Sequence, residues 1–517
     1  MAHSEASDRL GPLDTLFLYI EKKEMPLHIG SVLVFDGTIS TADLKALIDA
    51  KLPLIPRYRQ RVVFPPLNLG YPTWEWDPDF DIDRHIHHAH IKPGTKASLE
   101  TLAGELFSQV MDRNRPLWDL TVVDGLRGGR SAMIARVHHC LVDGIAGVAL
   151  MNMILDNSPE RSNLPPKKPF HPPPPPAAGT NLVDAMLSSY FHTVGRVLSM
   201  QSAALDAASG MLHELIQGAI AQPAAAVESL QPLDPFPFKA PSLGPRRVSW
   251  TEFSLAEVSA IHEKCHVKVN DVLLTVLAAA MRRYAQLHRI SVKGRVLRLM
   301  VPVNLRSPDQ NGLGNRISLV PVNVPLDVKD VIELLTSVHQ RTEAMKHAHA
   351  ADLVVLGGTL LAMMPIPAQA LLTGVLSNAI PVLPFDMVCT NVPGPQIPLY
   401  LLGRKMLTYY PYVPIGDFMG VCCAMASYNG TLYFSLTGDC ACAPDLERLR
   451  DFLAEALSEL RDRSGCAPRH RVRRKPQPTT GATGTEGPVD QSSVRINALS
   501  NRGLGEAIAP TDHEDAT

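Results

Sequence analysis

Apolar residues recur along this chain with two different periods. At 41–51 they fall at Leu44, Leu47 and Ile48, the spacing of one helix face. Residues 14–21 (DTLFLYIE) are amphipathic, and 145–155 read as a helix with Ile145, Val148, Ala149 and Met151 on its apolar side. Between these lie strand-like runs. Residues 31–35 (SVLVF) end at Asp36-Gly37, while 119–124 and 131–137 are joined through Arg127-Gly128-Gly129-Arg130, a hairpin turn by composition. The alternation predicts an α/β sandwich.

A second folded region begins near Val248. Residues 270–284 are helical, with Val272, Leu273, Val276, Leu277, Ala280 and Met281 at apolar spacing. Residues 298–303, 317–324 and 431–436 read as strands, and 328–347 and 444–461 as amphipathic helices. Between the two regions, 165–176 is proline-rich, with five consecutive prolines at 172–176. Such a run excludes helix and central strand and predicts an extended spacer. The chain therefore divides into an N-terminal lobe (1–160), a Pro-rich and helical crossover (161–243), a C-terminal lobe (244–465) and a disordered tail (466–517).

Composition narrows this picture a little. At 517 residues two lobes plus linkers are expected, and a net charge of −2 gives no overall pull toward nucleic acid. The eight cysteines show no CxxC pair and no metal-ligand spacing. With no secretory signal in residues 1–18, they read as reduced thiols of a cytoplasmic protein. No site for a metal or cofactor is visible.

Chemistry concentrates in Arg136-Val137-His138-His139-Cys140-Leu141-Val142-Asp143-Gly144. Two imidazoles, an acid and a glycine follow the hairpin's second strand. Imidazole exchanges protons near neutral pH, and glycine admits close approach. The catalytic candidates are His139, His138 and Asp143. As consecutive strand residues, His138 and His139 point to opposite sides. Asp143 can orient an imidazole or cap the helix that follows. Gly144 fits either a tight substrate approach or a plain turn. Asn270 can donate to an oxyanion or serve as an N-cap.

Seven blocks, in order, resemble the bacterial wax ester synthase/acyl-CoA:diacylglycerol acyltransferase family. They are Pro12-Leu13-Asp14 with Phe17, Pro116-Leu117-Trp118, the HHxxxDG run from His138 to Gly144, and Asn270-Asp271. Pro302-Val303-Asn304-Leu305-Arg306, Gly314-Asn315-Arg316-Ile317-Ser318 and Asn391-Val392-Pro393-Gly394-Pro395 complete the set. The resemblance covers about 10–460. The HHxxxDG run alone also resembles peptide-synthetase condensation domains and polyketide-associated acyltransferases.

This resemblance implies a two-lobed chloramphenicol-acetyltransferase-like α/β fold with a tunnel between the lobes. It implies transfer of a long-chain acyl group from acyl-CoA, a substrate rather than a cofactor, to diacylglycerol or fatty alcohol. His139 would be the general base, and Asp143 would form a structural ion pair with Arg306. Greasy substrates would require a membrane or lipid-droplet surface. The uncharged stretch 353–385 suits a lipid-facing surface better than a span, because Pro365, Pro367, Pro381 and Pro384 interrupt it. The basic run Arg469, Arg471, Arg473, Arg474 and Lys475 could attract anionic lipid. Competing readings are an HHxxxDG enzyme acting on a carrier-bound or polyketide substrate, and a non-catalytic lipid-binding or droplet protein.

Overall fold

The first strand, β1 (His28–Phe35), is paired on both sides, and its two partners come from opposite ends of the chain. The computed structural model describes residues 9–65, 71–142, 147, 151–160, 244–304, 317–347, 385–416 and 419–466. The crossover 161–243, most of the uncharged stretch and the basic run lie outside the described residues.

The first part of the chain runs α1 (Pro12–Ile20), β1, α2 (Thr41–Lys51), β2 (Gln60–Val63), β3 (Thr73–Trp76), β4 (Ile86–His90), α3 (Lys96–Phe107), β5 (Trp118–Leu126) and β6 (Arg130–His138). After the crossover come β7 (Arg246–Ser254), α4 (Leu255–Cys265), α5 (Val269–Leu287), β8 (Val296–Asn304), β9 (Ile317–Pro325), α6 (Val331–His347) and β10 (Met387–Pro393). The chain closes with β11 (Tyr400–Leu401), β12 (Arg404–Tyr412), β13 (Val421–Tyr428), β14 (Thr431–Asp439) and α7 (Leu446–Arg463).

Local chemistry accounts for the elements nearest the site. α2 spans the residues its periodicity predicts. Ser40 caps it by accepting the Asp43 N–H at 3.2 Å, and Leu44, Leu47 and Ile48 are buried. The β5–β6 hairpin turns at Gly128 and Gly129, with φ of 78° and 66°, values that favour glycine. Of the predicted helix at 145–155, the described residues 147 and 151–154 are helical, and 155 lies just beyond its end.

Two six-stranded sheets form the lobes, in the orders β11-β12-β1-β6-β5-β4 and β7-β14-β13-β10-β8-β9. The sheets do not divide where the two halves of the sequence divide. β12 lies antiparallel to β1, with Gly30 opposite Tyr412, so the late part of the chain completes the early sheet. One apolar core gathers Val32, Phe35, Leu44, Phe107 and Ile134; the other gathers Val272, Leu277, Leu299, Phe434 and Leu453.

Arg246, the first residue of β7, ties the lobes together. Its N–H donates to Ser108 Oγ at 2.7 Å, its Nη2 to Glu24 O at 2.6 Å, and its Nη1 pairs with the buried Asp439 at 3.1 Å. Gly30 marks a second close contact. A Cβ there would lie 2.4 Å from Ala135 O and 2.9 Å from the Phe107 ring. Gly30→Ala is expected to destabilise the fold by about 1–3 kcal/mol through overpacking. Denaturant unfolding tests this, and an unchanged midpoint would refute it.

Among the described residues no helix is long and apolar enough to cross a membrane. All eight cysteines are free.

Candidate active site

β6 delivers the histidine pair to a fork between two strands. The His138 N–H donates to Leu117 O at 3.0 Å on the β5 side, and the His139 N–H to Leu27 O at 2.9 Å on the β1 side. The chain then turns, with the Leu141 N–H bonded to His138 O at 2.9 Å. The Pro116-Leu117-Trp118 block thus holds His138 through the Leu117 carbonyl. It is itself fixed by burial of Leu117 and by the Trp118 indole, which donates to Tyr58 O at 2.8 Å and stacks on His85 at 4.5 Å.

His138 has no exposed surface. Its Nδ1 accepts the Cys140 N–H at 3.1 Å, so the ring proton of the neutral form sits on Nε2. That Nε2 faces Glu21 Oε1 at 3.4 Å. Glu21 also accepts the Leu27 N–H at 2.8 Å, and Arg113 through Nε at 3.3 Å and Nη2 at 3.0 Å. Burial alone would raise the Glu21 carboxyl. His138, the Leu27 amide and Arg113 outweigh it and hold the pKa at about 2. Beside this pair, burial together with Arg136 and His138 pushes the fully buried His28 well below the usual imidazole value.

His139 is half-buried, and its ring stacks on Phe17 at 4.0 Å with 11° between the planes. Glu21 bonds next to both contacts of this residue, through its carboxylate on one side and its backbone on the other. Glu21 holds Leu27, whose carbonyl takes the His139 amide. Its own N–H caps α1 at Phe17 O (3.2 Å), and its partner Arg113 donates to Leu18 O (2.7 Å). Glu21 thus bonds both Leu27 and Phe17, the two residues that His139 touches.

On the second lobe, Asn270 is the second residue of α5, not its cap; Lys268 occupies the cap position. Asn270 Oδ1 accepts Asn391 Nδ2 from β10 at 2.7 Å. The neighbouring Asp271 is buried and structural: it takes the Lys268 N–H at 2.9 Å, His339 Nδ1 at 2.7 Å and Thr342 Oγ1 at 2.7 Å. Asp143, Gly144 and Arg306 lie outside the described residues. Among the described residues no group of His, Cys, Asp and Glu could hold a metal ion.

Glu21, Arg113 and His28 were not legible as site residues. Nothing in the spacing links Glu21 to His138, because the pair forms only when α1 packs beside the end of β6. Asn391 reads in sequence as the start of a Pro-Gly-Pro turn; in the fold it is still in strand β10.

Comparison with known proteins places the chain in a family. Residues 10–273 match the wax ester synthase/diacylglycerol acyltransferase catalytic domain, and 313–461 match the WS/DGAT C-terminal domain. The chain is 30% identical over 473 residues to the probable diacylglycerol O-acyltransferase tgs2 of Mycobacterium tuberculosis, covering 89% of this chain and 100% of that one. It is 30% identical over 464 residues to tgs1 of the same organism, covering 88% and 96%. Among solved structures, the wax ester synthase/diacylglycerol acyltransferase from Marinobacter aquaeolei VT8 superposes with a TM-score of 0.63 at 25% identity, covering 89% and 100%. The starter condensation domain of rhizomide synthetase, solved with C8-CoA and Leu-SNAC, shares the fold at a TM-score of 0.53 and 14% identity, covering 89% and 97%. With both family domains matched in order across the two lobes that carry His139 and Asn270, the chain belongs to the wax ester synthase/diacylglycerol acyltransferase family of acyltransferases.

Proposed function

We propose that this protein transfers a long-chain acyl group from acyl-CoA to diacylglycerol, making triacylglycerol, and to fatty alcohol, making wax ester. The observation that carries the reading is His139. Its imidazole lies at a strand end, stacked on Phe17, with its backbone clamped through Leu27 to Glu21. A base that must meet an alcohol and a thioester in one geometry needs such support.

In this mechanism His139 takes the proton of the acceptor hydroxyl as its oxygen attacks the thioester carbonyl. The tetrahedral intermediate carries an oxyanion, for which Asn270 is the donor. Collapse breaks the carbon–sulfur bond, and the imidazolium returns its proton to the leaving thiolate of coenzyme A. His138 positions the site, and the family resemblance implies a structural role for Asp143, with Arg306 as its partner. The names of the mycobacterial and Marinobacter relatives support this substrate class. Substrates of this kind draw the enzyme to a membrane or droplet surface.

The test is incubation of purified protein with long-chain acyl-CoA and either diacylglycerol or hexadecanol, following thiol release and lipid product. Ester formation is expected. Transfer only from an acyl carrier protein would move the reading to a carrier-bound donor. Binding of acyl-CoA without transfer to any alcohol would favour a lipid-binding protein.

A further inference from the structure

An oxyanion donor must present N–H, yet a carboxamide can turn either way with almost no change of shape. The Asn270 side chain has one carbonyl oxygen and two N–H bonds. Asn391 Nδ2 donates to that oxygen at 2.7 Å. Among the described residues no acceptor takes the Asn270 N–H bonds. Both side chains are half-buried, so water does not fully screen the contact.

The strand bearing Asn391 is itself held firmly. β10 lies parallel to β13, with Asn391 opposite Met425. Just beyond it, Gly394 approaches so closely that a Cβ would fall 2.3 Å from Ser427 O. Gln396 Nε2 bonds both Gly394 O (2.9 Å) and Ser427 Oγ (3.0 Å). The Asn391 side chain therefore projects from a backbone clamped to the β13–β14 hairpin.

We propose that Asn391 is a positioning residue that orients the Asn270 carboxamide, oxygen toward Asn391 and N–H bonds toward the reacting thioester. This rests on the acyl-transfer reading above and names what makes Asn270 a donor. Without Asn391 the amide would populate both orientations. With an acceptor in its place the amide would turn over and present its oxygen to the oxyanion, an unfavourable contact.

The test is Asn391→Asp, whose carboxylate has the same shape and can only accept. Expected is a fall in kcat of at least about 10²-fold, the cost of losing an oxyanion donor, with KM for acyl-CoA unchanged. The ratio of variant to wild-type rate should stay low from about pH 8 to pH 5 and recover only as the pH falls to about 4, where the carboxyl protonates and donates again. N270A and the double variant N270A/N391D should be equally slow.

A second measurement needs no turnover. A trifluoromethyl ketone analogue of long-chain acyl-CoA, whose hydrate mimics the tetrahedral anion, should bind N391D about tenfold more weakly than wild type. A non-reactive acyl-CoA thioether should bind both equally. Equal weakening of both ligands with a lowered Tm, or additive losses in the double variant, would overturn the proposal. So would wild-type rates in N391D. If the wild type forms no ester from any acceptor, the acyl-transfer reading fails instead, and the analogue titration still decides whether Asn391 controls Asn270.

Discussion

Replacing His139 by alanine is expected to stop ester formation, lowering kcat by about 10²–10⁴-fold, the contribution of a positioned general base. An alcohol is almost wholly protonated near neutral pH, so its attack on a thioester depends on a base already in place. The ring is half-buried and stacked on Phe17, while the residue's backbone bond to Leu27 O involves only main-chain atoms. Alanine keeps that bond, so the variant should fold and bind acyl-CoA with little change. Thiol release and ester product are measured together with calorimetric acyl-CoA binding. A folded H139A enzyme retaining more than about a tenth of wild-type kcat would remove His139 from the chemistry.

Glu21→Gln should cost about 3 kcal/mol near neutral pH, and kcat should fall about tenfold with KM unchanged. Glutamine keeps an acceptor for the Leu27 amide but loses the charge that faces His138 and Arg113. The folded-state pKa of about 2 lies below the usual carboxylate value of 4.5, so the folded chain binds fewer protons than the unfolded one. The stabilisation is therefore complete above pH 4.5 and is lost as pH falls toward 2. At about 1.36 kcal/mol for each pH unit separating the two values, it amounts to about 3 kcal/mol. Unfolding free energies of wild type and variant, compared from neutral pH down to the acid limit of folding, should converge. A gap independent of pH would mean that the carboxylate's charge is not the source. Unchanged kcat would show that His139 is located without Glu21.

What the sequence makes legible depends on whether one face of an element meets water. α2 is legible because Leu44, Leu47 and Ile48 are buried while the rest of the helix is polar residues and alanine. The β5–β6 hairpin is legible from its Gly128-Gly129 turn. β13 is buried along its whole length on both faces, so VCCAMASY shows no alternation. β4 (IHHAH) fails for the opposite reason: only Ile86 is fully buried, at the edge of its sheet. For the site, the family blocks mark His139, Asn270 and Pro116-Leu117-Trp118. They do not disclose that Leu117 meets His138 through its carbonyl, that Glu21 faces His138, or that Asn391 bonds Asn270. Those contacts exist only once α1 meets β6 and β10 meets α5.

The pairing of β1 with β12 also fixes an order of events during synthesis. β1 and β6 are both made early, but the other side of β1 has no partner until Tyr412 has been added. At about 5–20 residues per second that interval lasts tens of seconds. Throughout it the nascent chain carries the apolar strand HIGSVLVF with one row of backbone donors and acceptors open, a template for pairing with another chain. A fragment ending before residue 404 would keep that edge permanently. The protein therefore cannot mature half by half on the ribosome. Until β12, in the last quarter of the chain, has been made, this edge of β1 is where the unfinished chain is expected to pair with a neighbour.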